Sequence, residues 1–264
     1  MLHWELGDLP GENNGQGTRC RCMVKPYYKA RGVTIYHGDC MEVGAQLKPV
    51  GMILTDPPYD ICRKGAGMMG ARHVYVNGLK DMTDGKPDDW ATLLQMSTIA
   101  VVFHSRDQIG FLWTEMRRYY RYYDLHVWHK IDAPPFSRGT WKADVEYIAV
   151  GGNVGPSGHG DSRLKSKVYQ SATSGKKKIN HPCSKPLSLL SKYLLAYAPS
   201  SVFDPFCGGG STLVAACNLG IQAIGIEREE RWCEVAAKWL ETGETFDWRS
   251  SLKRGRDEWS RYAL

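Results

Sequence analysis

The sequence predicts an α/β fold built on a mostly parallel, doubly wound sheet. Short apolar runs that stop abruptly at turn residues recur along the chain, a pattern typical of strands that are buried on both faces of a parallel sheet. Towards residue 242, strand and helix patterns alternate as a βαβα unit, which indicates parallel pairing. The chain has 264 residues, enough for one large α/β domain or two smaller ones.

The first two strand patterns lead directly into acidic residues. Residues 33–36 form the first pattern, which leads to Gly38-Asp39-Cys40, and residues 51–55 form the second, which stops at Asp56-Pro57-Pro58. We expect Asp56 at the carboxyl end of a buried strand. The elements predicted next are a helix-like stretch at 90–98, a strand at 99–103, a helix at 108–120, and strands at 125–130 and 145–150.

Regular patterns return after a Gly-, Ser-, Lys- and His-rich segment at 151–181. An apolar stripe with helical spacing begins at Leu187 and stops before Pro199. The βαβα unit then comprises a strand at 202–203, a glycine-rich turn, a helix at 211–219, a strand at 221–226 and a final amphipathic helix around Trp232–Leu240.

Composition places the chain among ordinary globular proteins. Hydrophobic residues make up 42% of the chain and charged residues 23%, and the net charge of +6 is compatible with a nucleic-acid partner. No apolar run approaches the roughly 20 residues of a membrane span, and the first residues lack the apolar core of a signal peptide. We expect a protein that does not enter membranes and is located in the cytoplasm.

The eight cysteines are scattered, and we expect free thiols. Cys20-Arg21-Cys22, with His3 and His37 nearby, resembles half of a zinc site. No second cysteine pair follows at finger-like spacing, so the sequence predicts no metal site.

The turn Asp204–Thr212 has the character of a cofactor site. Its glycines permit positive φ and close approach of a ligand, and Glu227, about 20 residues further on, could accept hydrogen bonds from ribose hydroxyls. A phosphate-binding loop would need a lysine at Gly210, and the acid Asp204 would repel a pyrophosphate. Asp204 could instead attract the cationic methionine end of S-adenosylmethionine.

The segment Asp56-Pro57-Pro58-Tyr59 has the character of a catalytic loop. Two prolines stiffen the backbone, so the Asp56 carboxylate and the Pro57 carbonyl become fixed hydrogen-bond acceptors. Two acceptors that hold the hydrogens of an exocyclic amino group would localise its lone pair for in-line attack on a sulfonium methyl. Tyr59 offers a flat face on which an extruded base can stack.

In their order along the chain, these segments resemble the beta class of DNA amino-methyltransferases, the N6-adenine and N4-cytosine family. In that class the catalytic segment precedes the cofactor segment. The resemblance covers roughly residues 33–242 and rests on the following ordered set: Gly38-Asp39-Cys40, Asp56–Tyr59, Trp128-His129-Lys130 with Glu146, His181-Pro182-Cys183-Ser184-Lys185-Pro186, Asp204–Thr212 and Ile224-Gly225-Ile226-Glu227.

The resemblance implies a Rossmann-like methyltransferase fold with a circularly permuted motif order and a short target-recognition insertion. The implied segments are an irregular arm (1–32), a catalytic half (33–150), a DNA-contact region (151–181), an S-adenosylmethionine-binding half (182–242) and a tail (243–264). The implied cofactor-binding residues are Asp39, Cys40, Asp56, Lys185, Asp204, Phe206, Gly208, Gly210, Ser211, Thr212 and Glu227. Candidate DNA contacts are Arg63, Lys64, Arg138, Lys176, Lys177 and Lys178.

The expected activity is methyl transfer from S-adenosylmethionine to the amino group of adenine in double-stranded DNA, in a prokaryotic or phage context. Asp56 at the head of the loop favours adenine, since cytosine-specific relatives more often begin with serine. The alternatives are N4-cytosine transfer, an RNA methyltransferase of the same chemistry, and a catalytically silent nucleic-acid-binding module. Pro182-Cys183 lies in the amino-methyltransferase pattern, so we interpret Cys183 as non-catalytic. A homodimer and a restriction partner are both left open.

Overall fold

The protein, described here by a computed structural model, is built on one nine-stranded sheet with strand order β1-β2-β9-β8-β3-β4-β6-β5-β7. The structure describes residues 24–58, 89–133, 141–142, 144–157, 161–173 and 184–243. The strands are β1 (Tyr28–Ala30), β2 (Val33–His37), β3 (Met52–Thr55), β4 (Ile99–His104), β5 (Tyr122–Lys130), β6 (Val145–Gly152), β7 (Val168–Ser171), β8 (Ser201–Asp204) and β9 (Gln222–Glu227).

Five of the eight neighbouring strand pairs are parallel, as the sequence predicts. The antiparallel pairs are β1 with β2, β4 with β6, and β5 with β6. Because β6 alone reverses direction between β4 and β5, the strands β2, β9, β8, β3, β4, β5 and β7 all end at the same edge of the sheet. We call this edge the catalytic edge; β6 begins there.

Helices cover both faces of the sheet. On one face lie α3 (Leu187–Tyr197), α4 (Ser211–Asn218) and α5 (Glu230–Thr242). On the other lie α1 (Cys40–Gly44), a 3-10 helix (Asp89–Met96) and α2 (Ile109–Tyr119). Within the described residues, no helix combines the length and apolarity that a membrane crossing requires.

The central strands are buried on both sides, which explains their continuous apolar sequences. In β3, Met52 and Leu54 pack towards α3–α5, whereas Ile53 between them packs towards α1 and α2. In β4, Val101 and Val102 divide between the two faces in the same way. Side chains of a strand alternate in direction, so a run without polar residues is what a sheet covered on both faces needs.

Three elements differ from the sequence-based expectations. The segment 1–32, expected to be an irregular arm, contains β1, because Arg31 and Gly32 both adopt positive φ (55° and 76°) and turn the chain into a hairpin with β2. The segment 151–181, expected to be a loop region, contains β7, which pairs with β5. The stretch at 90–98 is a 3-10 helix whose buried Trp90 and Leu94 fasten it to the sheet.

Candidate active site

Four acidic residues stand side by side at the catalytic edge. Asp39 follows β2, Glu227 ends β9, Asp204 ends β8 and Asp56 follows β3, and these four strands are consecutive neighbours in the sheet. Ligands of open α/β sheets bind at the carboxyl ends of the strands. This row therefore marks the place where the fold can hold a ligand.

Asp204 is the most buried of these acids, at 3% exposure. The Thr55 hydroxyl donates to its Oδ1 at 2.7 Å, the backbone N–H of Phe206 donates at 3.1 Å, and the Thr212 hydroxyl also hydrogen bonds to it. Burial raises the pKa of Asp204 to about 6, and the three hydrogen bonds oppose that rise. The carboxylate is therefore fixed in position and titrates at about pH 6.

Glu227 organises the glycine-rich turn. Its two carboxylate oxygens accept hydrogen bonds from the backbone N–H groups of Gly208 (2.9 Å) and Glu229 (2.8 Å), and burial raises its pKa above the ordinary value. Gly208 and Gly210 both adopt positive φ, at 49° and 89°, which a glycine accommodates without strain. The backbone of the turn therefore lies next to the Glu227 carboxylate, and α4 begins at Ser211.

Gly210 packs against α5 as well as adopting positive φ. A Cβ atom at this position would lie 2.7 Å from the Cβ of Ala236, which is closer than real contacts allow. Gly220 also has positive φ, at 69°, but a Cβ there would meet nothing within 4 Å. Comparing alanine substitutions at the two positions therefore distinguishes backbone strain from steric overlap.

We expect Gly210→Ala to lower the free energy of unfolding by about 2–4 kcal/mol, because overlap with Ala236 adds to the strain of positive φ. Gly220→Ala serves as the control and should cost about 1–2 kcal/mol, from strain alone. Urea denaturation of both variants measures the difference. Equal losses would show that contact with α5 does not constrain the turn.

Asp39 and Cys40 occupy the start of α1 beside Glu227. The Asp39 carboxylate caps this helix by accepting from the backbone N–H groups of Met41 (2.8 Å) and Glu42 (3.3 Å). Burial and then the charge of Asp39 raise the pKa of the Cys40 thiol to about 12, so the thiol stays neutral. The Gly38 N–H donates to the Glu227 carbonyl at 3.0 Å, which holds β2 and β9 in register at this edge.

Asp56 leaves the sheet where the pairing of β3 ends. Thr55 is still in register with Val102 of β4, but Pro57 and Pro58 have no N–H to continue the ladder. The Asp56 side chain is 24% exposed and is bound by the ammonium group of Lys185. Its backbone position is therefore set by two prolines and its side chain by a buried cation.

Lys185 joins Asp56 to a second acid. Its Nζ lies 2.7 Å from Glu146 Oε1, and the other oxygen of Glu146 lies 2.7 Å from Lys130 Nζ. The Lys185 ammonium also sits 5.1 Å from the centre of the Phe103 ring, where a cation–π contact adds to the ion pairs. We call Asp56, Lys185, Glu146 and Lys130 the ionic cluster.

Burial and charge act in opposite directions within the ionic cluster. Burial alone would lower the pKa of Lys185, but the carboxylates of Asp56 and Glu146 outweigh it and raise that pKa. Burial likewise opposes ionisation of Glu146, but the ammonium groups of Lys185 and Lys130 lower its pKa below the ordinary value. Lys185 and Glu146 therefore stay charged at neutral pH.

The structure places the predicted residues in two groups. Asp39, Cys40, Asp204 and the turn through Thr212 to Glu227 surround one part of the catalytic edge. Lys185, expected near the cofactor, contacts Asp56 and Glu146 directly. Phe206 packs against Trp90: the two ring centres lie 5.8 Å apart and the ring planes are perpendicular.

Three participants have no assigned site role in the sequence-based prediction: Thr55, Lys130 and Glu146, of which Lys130 and Glu146 belong to the ordered set that carries the resemblance. The available signal was a charged residue inside an otherwise apolar strand, as at Glu146, and a lysine at the end of β5. Neither pattern indicates its partner, because the antiparallel pairing of β5 with β6 brings Lys130 to Glu146, and Lys185 contacts Glu146 from the segment that precedes α3. The predicted residues that lie outside the described parts of the chain are Tyr59, Arg63, Lys64, Arg138, Lys176, Lys177 and Lys178.

The amino-acid sequence is similar to those of known proteins over most of the chain. A family model described as DNA methylase matches residues 117–238. The Type II methyltransferase M2.LlaDCHI of Lactococcus lactis subsp. cremoris is 26% identical, over 85% of this chain and 95% of its own length. M2.DpnII of Streptococcus pneumoniae is also 26% identical, over 83% and 93% of the two chains.

Solved structures share the fold. The complex of M1.HpyAVI with SAM aligns with a TM-score of 0.56 at 23% identity, over 78% of this chain and 98% of that one. PvuII DNA methyltransferase, described as cytosine-N4-specific, aligns with a TM-score of 0.61 at 16% identity, over 81% and 88%. At these identities the likeness concerns architecture, and it confirms the predicted Rossmann-like fold.

Proposed function

We propose that this chain transfers a methyl group from S-adenosylmethionine to the exocyclic amino group of adenine in double-stranded DNA. The match of residues 117–238 to a family model described as DNA methylase supports this proposal. The observation that carries the proposal is that two half-sites, one around Asp204 and Glu227 and one around Asp56 and Lys185, meet at the catalytic edge. Asp56, held by Lys185, follows β3, and the neighbouring strand β8 ends at Asp204, which accepts a 2.7 Å hydrogen bond from Thr55.

The residues around Asp204 and Glu227 suit S-adenosylmethionine. The turn from Cys207 to Thr212 contains no lysine or arginine for a phosphate, and the flanking acids Asp204 and Glu227 suit a ligand with positive charge and free hydroxyls. Glu227, fixed by Gly208 and Glu229, can accept from ribose hydroxyls with its remaining lone pairs. S-adenosylmethionine supplies an electrophilic methyl group on a cationic sulfur.

We assign cofactor binding to both described half-sites. The assigned residues are Asp39, Cys40, Asp56, Lys185, Asp204, Phe206, Gly208, Gly210, Ser211, Thr212 and Glu227. Residues 182–242 form the cofactor half, residues 33–150 the catalytic half, and residues 151–181 the DNA-contact region in this assignment.

Affinity for S-adenosylmethionine should depend on pH through Asp204. Its pKa of about 6 means that the carboxylate takes up a proton as the pH falls through 6, and a neutral acid no longer attracts the cationic ligand. We expect Kd to rise by up to about tenfold for each pH unit below 6, measured by isothermal titration calorimetry from about pH 5 to 7.5.

Asp204→Asn is the matched control for this titration. It should bind more weakly at neutral pH and show a much flatter dependence, since only Glu227 and more distant groups remain to titrate. A wild-type Kd that stays constant from pH 7.5 to 5 would remove Asp204 from the binding interaction.

In the proposed reaction, the catalytic half holds the amino group of the base. The Asp56 carboxylate and the Pro57 carbonyl would accept hydrogen bonds from its two N–H groups, which directs the nitrogen lone pair towards the methyl donor. As the nitrogen–carbon bond formed, the carbon–sulfur bond of S-adenosylmethionine would break, S-adenosylhomocysteine would leave, and the surplus N–H proton would pass to solvent. Tyr59 stacks on the extruded base. Lys185 and Glu146 act as positioning residues: Lys185 holds the Asp56 carboxylate in place before the base arrives, and Glu146 holds Lys185, so little reorganisation accompanies the reaction.

The preference for adenine rests on Asp56 as the first residue of the loop. DNA contacts from Arg63, Lys64, Arg138 and Lys176–Lys178 belong to the same proposal, since cations near the loop and in 151–181 can bind phosphates. Nucleoside mass spectrometry of DNA from cells that express the chain tests the activity. N6-methyldeoxyadenosine is the expected product; N4-methyldeoxycytidine would overturn the base assignment, and neither product would overturn the activity.

A further inference from the structure

Trp141 is 97% exposed, whereas the other exposed large apolar side chains in the described residues range from 38% to 51%. It belongs to the connection between β5 and β6, which starts after Lys130 and ends at Val145. Single exposed apolar residues are common on protein surfaces. A tryptophan with nearly its whole ring in solvent is not, because burying a ring this large is worth several kcal/mol.

The base of this hairpin is fixed at the catalytic edge. The Lys130 N–H donates to the Asp144 carbonyl at 2.7 Å, and the Ile131 N–H donates to the Ser171 carbonyl of β7 at 3.1 Å. The Asp132 carboxylate accepts from the backbone N–H and the hydroxyl of Thr173, at 2.7 and 2.6 Å. Lys130 and Asp144, at the two ends of the connection that contains Trp141, are therefore hydrogen-bonded to each other at the catalytic edge.

The distance to the ionic cluster is short. Trp141 precedes Glu146 by five residues, so their Cα atoms lie within about 18 Å even if the chain is fully extended. Protein–DNA interfaces bury about 1,000–2,500 Å² of protein surface, which corresponds to a disc about 18–28 Å in radius. A duplex bound at the catalytic edge would therefore extend to the neighbourhood of Trp141.

We propose that Trp141 stacks on a nucleobase of the bound DNA, beside the base that is taken up at Asp56. This inference rests on the proposed function and adds a contact outside the motifs that the sequence resemblance assigns. Stacking on an exposed ring is independent of base identity and contributes to affinity for DNA rather than to the chemical step. The adjacent side chain of Lys142, which is also exposed, supplies a cation for the phosphate backbone.

Two variants with different losses test the contact. Trp141→Ala removes the ring and should raise the KM for duplex DNA by about tenfold, while the KM for S-adenosylmethionine stays unchanged. Trp141→Phe keeps an aromatic ring and should stay within about twofold of the wild type. A KM for DNA that is the same in Trp141→Ala and the wild type would overturn the proposal.

Fluorescence supplies a readout that does not depend on activity. Sheared duplex DNA of mixed sequence should quench the tryptophan emission of the wild type, and Trp141→Phe should lose most of that quenching. Trp113→Phe is the control, because Trp113 is 40% exposed and packs 4.6 Å from Tyr123, near the beginning of β5 and away from the catalytic edge. Equal quenching in Trp141→Phe and the wild type would contradict the contact.

The two arms separate this inference from the proposed function. If the wild type methylates no DNA, the activity fails, but the quenching experiment still decides whether Trp141 contacts the duplex. Sedimentation of Trp141→Ala addresses the other occupant of an exposed ring, a second copy of the chain. A dimeric wild type that becomes monomeric in this variant, with unchanged DNA quenching in Trp141→Phe, would assign the ring to self-association and overturn the proposal.

Discussion

Replacing Asp56 with alanine is expected to abolish methyl transfer, while the other assigned cofactor-binding residues, above all Asp204 and Glu227, still bind S-adenosylmethionine. The carboxylate is the fixed acceptor that Lys185 and Glu146 hold at the end of β3. Loss of one preorganised group at a reacting centre typically lowers kcat by about 10²–10³, and here the same change also leaves the Lys185 ammonium with one fewer partner. We therefore expect a loss of kcat of at least about a hundredfold.

The matched control is Asp124→Ala. Asp124 also pairs with a lysine, Lys167, but it lies near the beginning of β5, at the opposite edge of the sheet. Steady-state transfer of labelled methyl groups to DNA measures both variants, and calorimetry measures cofactor binding. Full activity in Asp56→Ala would remove the loop from catalysis, and loss of cofactor binding in that variant would make its role one of binding.

Lys185→Met should destabilise the folded protein by about 3–5 kcal/mol, because it leaves two acids at the catalytic edge without their shared cation. Lys167→Met is the control. Its ion pair with Asp124 is 62% and 38% exposed, so solvent screening limits the expected loss to about 1 kcal/mol or less. Urea denaturation at neutral pH compares the two variants.

A second substitution distinguishes lost charge from lost packing. Adding Glu146→Gln to Lys185→Met removes one of the unpaired acids, so the double variant should recover at least about 1 kcal/mol relative to Lys185→Met. Lys130, 2.7 Å from Glu146, still contacts the amide in that variant. A double variant that is no more stable than Lys185→Met would show that uncompensated charge on Glu146 does not account for the loss.

The stability difference should also depend on pH. The lowered pKa of Glu146 stabilises the folded wild type above the ordinary glutamate pKa, and this contribution is lost as the pH falls through the lowered folded value. Lys185→Met lacks most of the contribution. The gap between the two proteins should therefore shrink as the pH falls below about 4, the ordinary range of carboxyl groups. A gap that widens on acidification would contradict the assigned charges.

Much of the fold could be predicted because burial on both faces leaves a local trace. The strands β3, β4, β8 and β9 lie within two residues of their predicted bounds, since each is a short apolar run ended by polar or turn residues. The reversal of β6 between β4 and β5 could not be predicted in this way. Its apolar pattern is the same whether its neighbours run parallel or antiparallel.

In the candidate site, too, the residues in local motifs could be predicted and the contacts between distant parts of the chain could not. Asp56, Asp204 and Glu227 could be predicted because each follows or ends a buried strand and belongs to a local motif. The contacts within the ionic cluster could not, since its members, although named by the sequence motifs, come from four separate parts of the chain and meet only in the folded protein. A buried charge is inexpensive only next to its partner, and a single sequence does not show which residue that partner is.

The most direct test of the account is methyl transfer by the purified protein from methyl-labelled S-adenosylmethionine to duplex DNA, followed by digestion to nucleosides. We predict that the label appears in N6-methyldeoxyadenosine with the wild type and Asp124→Ala, and in no nucleoside with Asp56→Ala. Label in N4-methyldeoxycytidine would contradict the choice of base. Absence of label from every nucleoside with the wild type, or equal labelling by Asp56→Ala and the wild type, would contradict the proposed active site itself.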